Sequence, residues 1–168
     1  THGTGCGDVN GDGRADLLLS DGWYEQPAAG RPGEPWPHHA FKFADAGAQI
    51  LVTDVNGDGL SDVVTAWHCH RYGLVWYRQS RNEKGEIAFQ QNVILPPQPD
   101  LKSDALRISQ IHALELADFT GDGVKDVVVG KRFWAHGPTG DAEPGAPAVV
   151  YWFEARRGAC LLYTSPSP

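Results

Sequence analysis

Short apolar runs, separated by clusters of Gly, Asp and Asn, set the rhythm of the 168-residue chain. Leu-Leu-Leu at 17–19, Val-Val-Thr at 63–65 and Val-Val-Val at 127–129 are apolar and partly β-branched, the composition of strands bounded by turns. Segments 49–53 and 111–117 also read as strands, the second alternating apolar and polar residues. Aromatic segments follow at 22–25, 74–77 and 149–153, and candidate outer strands at 38–43 and 88–95. Apolar runs stay far below the roughly 20 residues that cross a bilayer. Recurrent Gly and Pro argue against long helices.

One nine-residue motif occurs three times: Asp8-Val-Asn-Gly-Asp-Gly-Arg-Ala-Asp16, Asp54-Val-Asn-Gly-Asp-Gly-Leu-Ser-Asp62 and Asp118-Phe-Thr-Gly-Asp-Gly-Val-Lys-Asp126. The starts are 46 and 64 residues apart, and the longer interval holds the Pro-rich stretch 96–104, which reads as an inserted loop. Each motif leads directly into one of the apolar runs. Strand, loop, strand, aromatic strand and outer strand make about four strands per repeat, the content of a propeller blade.

This motif with its β-branched continuation resembles the FG-GAP/VCBS repeats of bacterial surface and secreted proteins, related to the propeller blades of integrin α subunits. The resemblance covers the chain to about Arg157, with Thr120 departing from the pattern where the other copies have Asn10 and Asn56. It implies an all-β fold, a partial β-propeller of about three four-stranded blades over residues 1–157. The absence of Met and the opening at Thr1 suggest a natural start further upstream, and 158–168 is expected to be a non-native tail, 160–168 resembling a translated sequencing adapter.

Calcium takes six to eight oxygens in flexible geometry. Positions one, three, five and nine supply side-chain oxygens: Asp8, Asn10, Asp12 and Asp16; Asp54, Asn56, Asp58 and Asp62; Asp118, Thr120, Asp122 and Asp126. Position seven, held by Arg14, Leu60 and Val124, would contribute its main-chain carbonyl, which explains why its side chains differ. Position six is always Gly, as a sharp turn at positive φ requires, and apolar position two (Val9, Val55, Phe119) is expected to pin each loop to the core. An EF-hand is excluded because its bidentate Glu at position twelve is replaced by Leu19, Thr65 and Val129. Thr120 makes the third site the expected weakest.

Net charge is −7, yet nine of the fourteen Asp lie in the three loops, and outside them twelve acids face twelve bases, Arg14 and Lys125 being within the loops. Three dications would bring the total close to neutral, which argues against a nucleic-acid groove. Weak calcium sites fill where the ion is plentiful, so the expected location is extracytoplasmic: secreted, periplasmic or cell surface.

The remaining chemistry is sparse. His68 and His70 flank Cys69, but without a matching second pair they make a weak metal site, and His38, His39, His112 and His136 look scattered. Cys6 and Cys69 read as ordinary thiols. In the segment 131–136, Trp134 is expected to cover a blade and Arg132 to pair with an acid, a carbohydrate- or protein-binding loop being the alternative. The six Trp are assigned mostly to core packing between blades. Neither a Gly-x-Ser-x-Gly elbow nor a phosphate loop nor His-Glu-x-x-His occurs, so the chain is not expected to be an enzyme. The expected function is a calcium-binding module for adhesion or recognition of an unknown protein or carbohydrate, without membrane insertion; the alternative is the non-catalytic propeller portion of a larger secreted enzyme.

Overall fold

A computed structural model describes residues 3–28, 33–134 and 136–157, together with the backbone of 164–166. It is all-β, with no helix among the described residues. Three four-stranded antiparallel sheets follow one another along the chain. The first contains β1 (Gly5–Gly7), β2 (Asp16–Leu19), β3 (Gly22–Tyr24) and β4 (His38–Ala40). The second contains β5 (Ile50–Thr53), β6 (Asp62–Ala66), β7 (Leu74–Arg81) and β8 (Ile87–Leu95). The third contains β9 (Ile111–Ala117), β10 (Asp126–Lys131), β11 (Val149–Phe153) and β12 (Thr164–Pro166).

Each sheet is an up-and-down meander, so it has the form of a propeller blade. The first strands lie side by side, β1 against β5 and β5 against β9, and the three blades do not close into a ring. The middle blade shows why blades stack. All five residues of β6 are buried, because its two faces serve two different cores. Val63, Val75 and Tyr77 join Val9, Leu18, Trp23 and Phe43 between the first and second blades. Val64, Ala66, Leu74 and Trp76 join Ile111, Leu114, Val127 and Phe153 between the second and third. Period-two alternation thus sends successive side chains to opposite neighbours.

β1 was not anticipated, because Gly-Cys-Gly has no strand propensity. It forms where the backbone must come closest to β5. A Cβ on Gly5 would lie 2.1 Å from the Ile50 carbonyl oxygen, and one on Gly7 would lie 2.5 Å from the Val52 Cβ. β7 extends to Arg81, four residues past the aromatic segment, while β4 stops at Ala40. The backbone of 164–166, within the segment set aside as a tail, pairs antiparallel with β11; residues 158–163, 167 and 168 lie outside the described residues.

The expectation that Trp residues mostly fill the core holds for Trp23 and Trp76, which are buried on β3 and β7. Trp36 and Trp134 are exposed, so the correction is that core packing does not explain them. Aromatic packing between the first two blades instead rests on Phe41, Phe43, Tyr77 and Phe89, whose ring centroids lie 4.8–5.4 Å apart. The Tyr77 hydroxyl donates to the Phe43 carbonyl at 2.7 Å, so its buried oxygen is satisfied.

Candidate metal centres

The three motifs form the hairpins β1–β2, β5–β6 and β9–β10, so they lie at one end of the stacked blades. Their conformations are nearly superimposable in hydrogen bonding. The first Asp of each loop accepts main-chain N–H groups from positions four and six: Asp8 from Gly11 (2.7 Å) and Gly13 (2.8 Å), Asp54 from Gly57 (2.7 Å) and Gly59 (2.9 Å), Asp118 from Gly121 (2.7 Å) and Gly123 (2.9 Å). For that to happen the chain must turn twice through positive φ. Position six does so at 83–85°, and position four, whose role the sequence reading missed, at 74–78°. The unvarying Gly at position four was the available signal.

Position nine has a different character. Asp16, Asp62 and Asp126 are at most 1% exposed, and each carboxylate clamps two segments. One oxygen accepts the N–H of position two: Val9 at 2.9 Å, Val55 at 3.2 Å and Phe119 at 3.0 Å. The other accepts an N–H on or just beyond the third strand: Gln26 at 2.9 Å, Gln79 at 2.8 Å and Ala155 at 3.0 Å. Each carboxylate oxygen retains a further lone pair beyond this clamp. Burial pushes the Asp62 carboxyl above its ordinary range, against the lowering effect of these N–H groups.

Position five faces solvent. In the first two loops its carboxylate accepts from the amide of position three, Asn10 to Asp12 and Asn56 to Asp58, both at 2.9 Å. A guanidinium also reaches each: Arg14 pairs with Asp12, and Arg78 lies 3.4 Å from Asp58. Desolvation raises both carboxyls, but the amides, main-chain N–H groups and guanidinium charges outweigh it and hold them low. The Arg14 side chain is therefore engaged, its Nε–H also donating to the Gln26 carbonyl at 2.9 Å. In the third loop the Thr120 hydroxyl turns to Asp118 at 3.4 Å, and Asp122 has the carboxylate of Glu154 as an electrostatic neighbour.

Position two pins the first two loops, with Val9 and Val55 buried, but Phe119 is 56% exposed and stacks on Trp152. The correction has a simple cause: Val9 and Val55 each enter the core shared with the next blade, and Phe119 lies on the outer side of the last described blade. Donors in the loops are all oxygen, the set a hard cation takes. Among the described residues no three loop carboxylates lie within 4.8 Å of one another, the first Asp being drawn to loop amides and the ninth into the core.

Gathering of that kind occurs instead at the opposite end of the blades. His70, in the β6–β7 turn, meets His136 and Asp141 from the β10–β11 connection, all three ligand atoms lying within 4.8 Å of one another. His112 of β9 stands behind, its ring 4.9 Å from that of His70. Four histidines that looked scattered therefore resolve into two groups: His112 and His136 belong with His70, while His38 and His39 stack on Tyr24 and Trp23. Trp134 does not cover a blade; it is 48% exposed and stacked on Phe133. Cys6 and Cys69 are free thiols, and burial pushes that of Cys69 up.

The model of the FG-GAP-like repeat matches the chain twice, over residues 8–65 and 54–129, each match running from one Asp loop through the next. No curated protein matches the chain.

Proposed function

The chain belongs to the FG-GAP-like repeat family, and on that premise we propose that it is a calcium-binding propeller module of an extracytoplasmic protein, serving adhesion or recognition and not catalysis. One observation carries the reading: three separate hairpins adopt the same oxygen-lined loop, each with an exposed acidic rim and a ninth carboxylate buried in the blade. A calcium ion would be held by Asp8, Asn10, Asp12, Asp16 and the Arg14 carbonyl, and by the corresponding residues of the other loops. It would supply the positive charge that a cluster of carboxylates lacks. The chain's own contribution is to fix the turn between the first two strands of each blade, so that the opposite end presents a rigid surface. Among the described residues there is no helix long and apolar enough to cross a membrane.

Charge near the loops bears on the order of the sites as well as Thr120. A guanidinium repels a dication by about 1–2 kcal/mol at roughly 5 Å even in water-like surroundings, and Arg14 and Arg78 sit on the first two loops. At the third, Glu154 is paired with Arg156 at 2.8 Å, so its charge is offset. The third site is still expected to be the weakest, and equal occupancy of all three at sub-saturating calcium would refute that.

Calcium titration by calorimetry, with thermal melts in parallel, tests the proposal on the intact chain and on a triple variant, Asp12→Ala, Asp58→Ala and Asp122→Ala. Binding of about three ions with a rise in melting temperature, both lost in the variant, is expected. A folded chain that binds none would reduce the loops to Asx turns.

A further inference from the structure

We propose that His70, His136 and Asp141 form a second kind of metal site, for one zinc-type dication, that joins the second and third blades and opens onto a cleft. This is independent of the calcium loops. The distances carry the argument. The Asp141 Oδ1 atom lies 3.3 Å from Nδ1 of His70 and 3.2 Å from Nδ1 of His136. A charge-assisted N–H to carboxylate hydrogen bond is typically about 2.7–2.9 Å. Bonds of about 2.0–2.1 Å to imidazole nitrogen and carboxylate oxygen put neighbouring ligands of a tetrahedral ion roughly 3.3–3.4 Å apart. The observed separations match the edge of that tetrahedron, with the His136–Asp141 contact also within hydrogen-bond range in the metal-free protein. Two imidazoles and one carboxylate suit zinc and its neighbours, whereas the all-oxygen loops suit calcium.

The surroundings hold the three ligands in place. The Ala142 N–H donates to the His70 carbonyl at 3.2 Å, and the Gln110 N–H donates to the Arg71 carbonyl at 2.7 Å. The buried Gln110 amide donates to the Ala142 carbonyl at 2.6 Å. Backbone strain gathers at the same place. Gln110, Trp134 and Glu143, the non-glycine residues at positive φ among those described, precede β9 or bracket His136 and Asp141. Such conformations are strained and concentrate at functional sites. A cleft of about 680 Å³ lies against the cluster, lined also by Arg71, Tyr72 and Leu101. Three protein ligands leave a fourth position facing that cleft, the arrangement of a zinc ion with an exchangeable ligand. The alternative trio, Cys69, His70 and His112, shares His70, and its thiol is fully buried.

The test is titration of the intact chain with Zn²⁺ in millimolar calcium, which keeps the loops from competing, alongside the absorption spectrum with Co²⁺ as a geometry probe. One zinc per chain, a tetrahedral cobalt spectrum and a zinc-dependent rise in the unfolding midpoint are expected. His136→Ala and Asp141→Asn should each weaken binding at least tenfold. His136 is exposed, so its loss leaves the fold intact, and circular dichroism checks this. His38→Ala and Cys69→Ser should bind as the parent does. Absence of binding by the folded parent, binding unchanged in His136→Ala, or binding abolished in Cys69→Ser would each overturn the assignment.

Discussion

Replacing Asp62 by Ala separates the two roles that the ninth loop position combines. The carboxylate is fully buried and accepts N–H groups from Val55 and Gln79, both themselves buried. Truncation leaves two donors without acceptors, at about 1–3 kcal/mol each, so the gross loss is about 2–6 kcal/mol. Part of that is returned, because burial pushes the Asp62 carboxyl up, which means its charge is held at a cost that Ala removes. A net destabilisation of about 2–4 kcal/mol follows, a large share of the 5–15 kcal/mol typical of a domain. Urea unfolding in excess chelator measures it without any ion. Asp62→Asn keeps one acceptor and should lose roughly half as much. If Asp62→Ala in chelator unfolds within about 0.5 kcal/mol of the parent, the clamp contributes nothing and the residue acts only through a cation.

Other perturbations test separate links. Ala at Gly59, where φ is +84° and a Cβ meets nothing within 4 Å, should cost about 1–2 kcal/mol through backbone strain alone, read as a lower urea midpoint. Gln79→Leu removes the buried amide that donates to Val9 at 2.9 Å and Ser61 at 2.6 Å, and so loosens the first blade from the second; a loss of about 1–3 kcal/mol is expected, with amide exchange rising at Val9 and its neighbours. In chelator the Asp118 carboxyl, held low first by the Gly123 N–H, contributes stability that is present above the unfolded value of 3.8 and is lost as pH falls through the folded one. Asp118→Asn should therefore flatten the acid limb of the stability profile between pH 5 and pH 3. Arg78→Ala removes a positive charge 3.4 Å from Asp58 and should tighten calcium at the second loop in calorimetry, a result that an inert Arg78 would not give.

What could be read from the sequence was whatever repeats. Three copies of the loop gave the hairpins, and the runs after them gave β2, β6 and β10, since an apolar β-branched stretch behind a Gly-rich turn has few other solutions. β1 was invisible for the opposite reason. Gly5 and Gly7 alternate with period two because β5 leaves no room for a Cβ, as residues 47 and 48 leave none at Gly3, and a propensity argument counts such glycines against a strand. Asp16, Asp62 and Asp126 look like the other loop acids in sequence, and only burial shows that they tie each loop to its third strand. The cluster of His70, His136 and Asp141 depends on blade-to-blade stacking across some 70 residues of chain, a juxtaposition that no local spacing encodes.

The alternation of connections in a four-stranded meander places these features with respect to each other. The first hairpin of each blade carries its Asp loop, so the second hairpin and the link to the next blade fall at the far end. His70 lies in a second hairpin, His136 and Asp141 lie in another, and Leu101 lies in the link between β8 and β9. An ion in the loops thus acts on each blade separately, whereas anything bound at the histidines acts between two blades. The consequence is a difference in what each would stabilise. Calcium should raise the protection of β2, β6 and β10 in proportion to the occupancy of their own loops, because each ninth Asp belongs to one sheet. A ligand at His70, His136 and Asp141 should instead protect the second and third blades together and leave β2 unchanged, since no described residue of the first blade lines that cleft. Hydrogen exchange resolved by strand distinguishes these two patterns in one preparation.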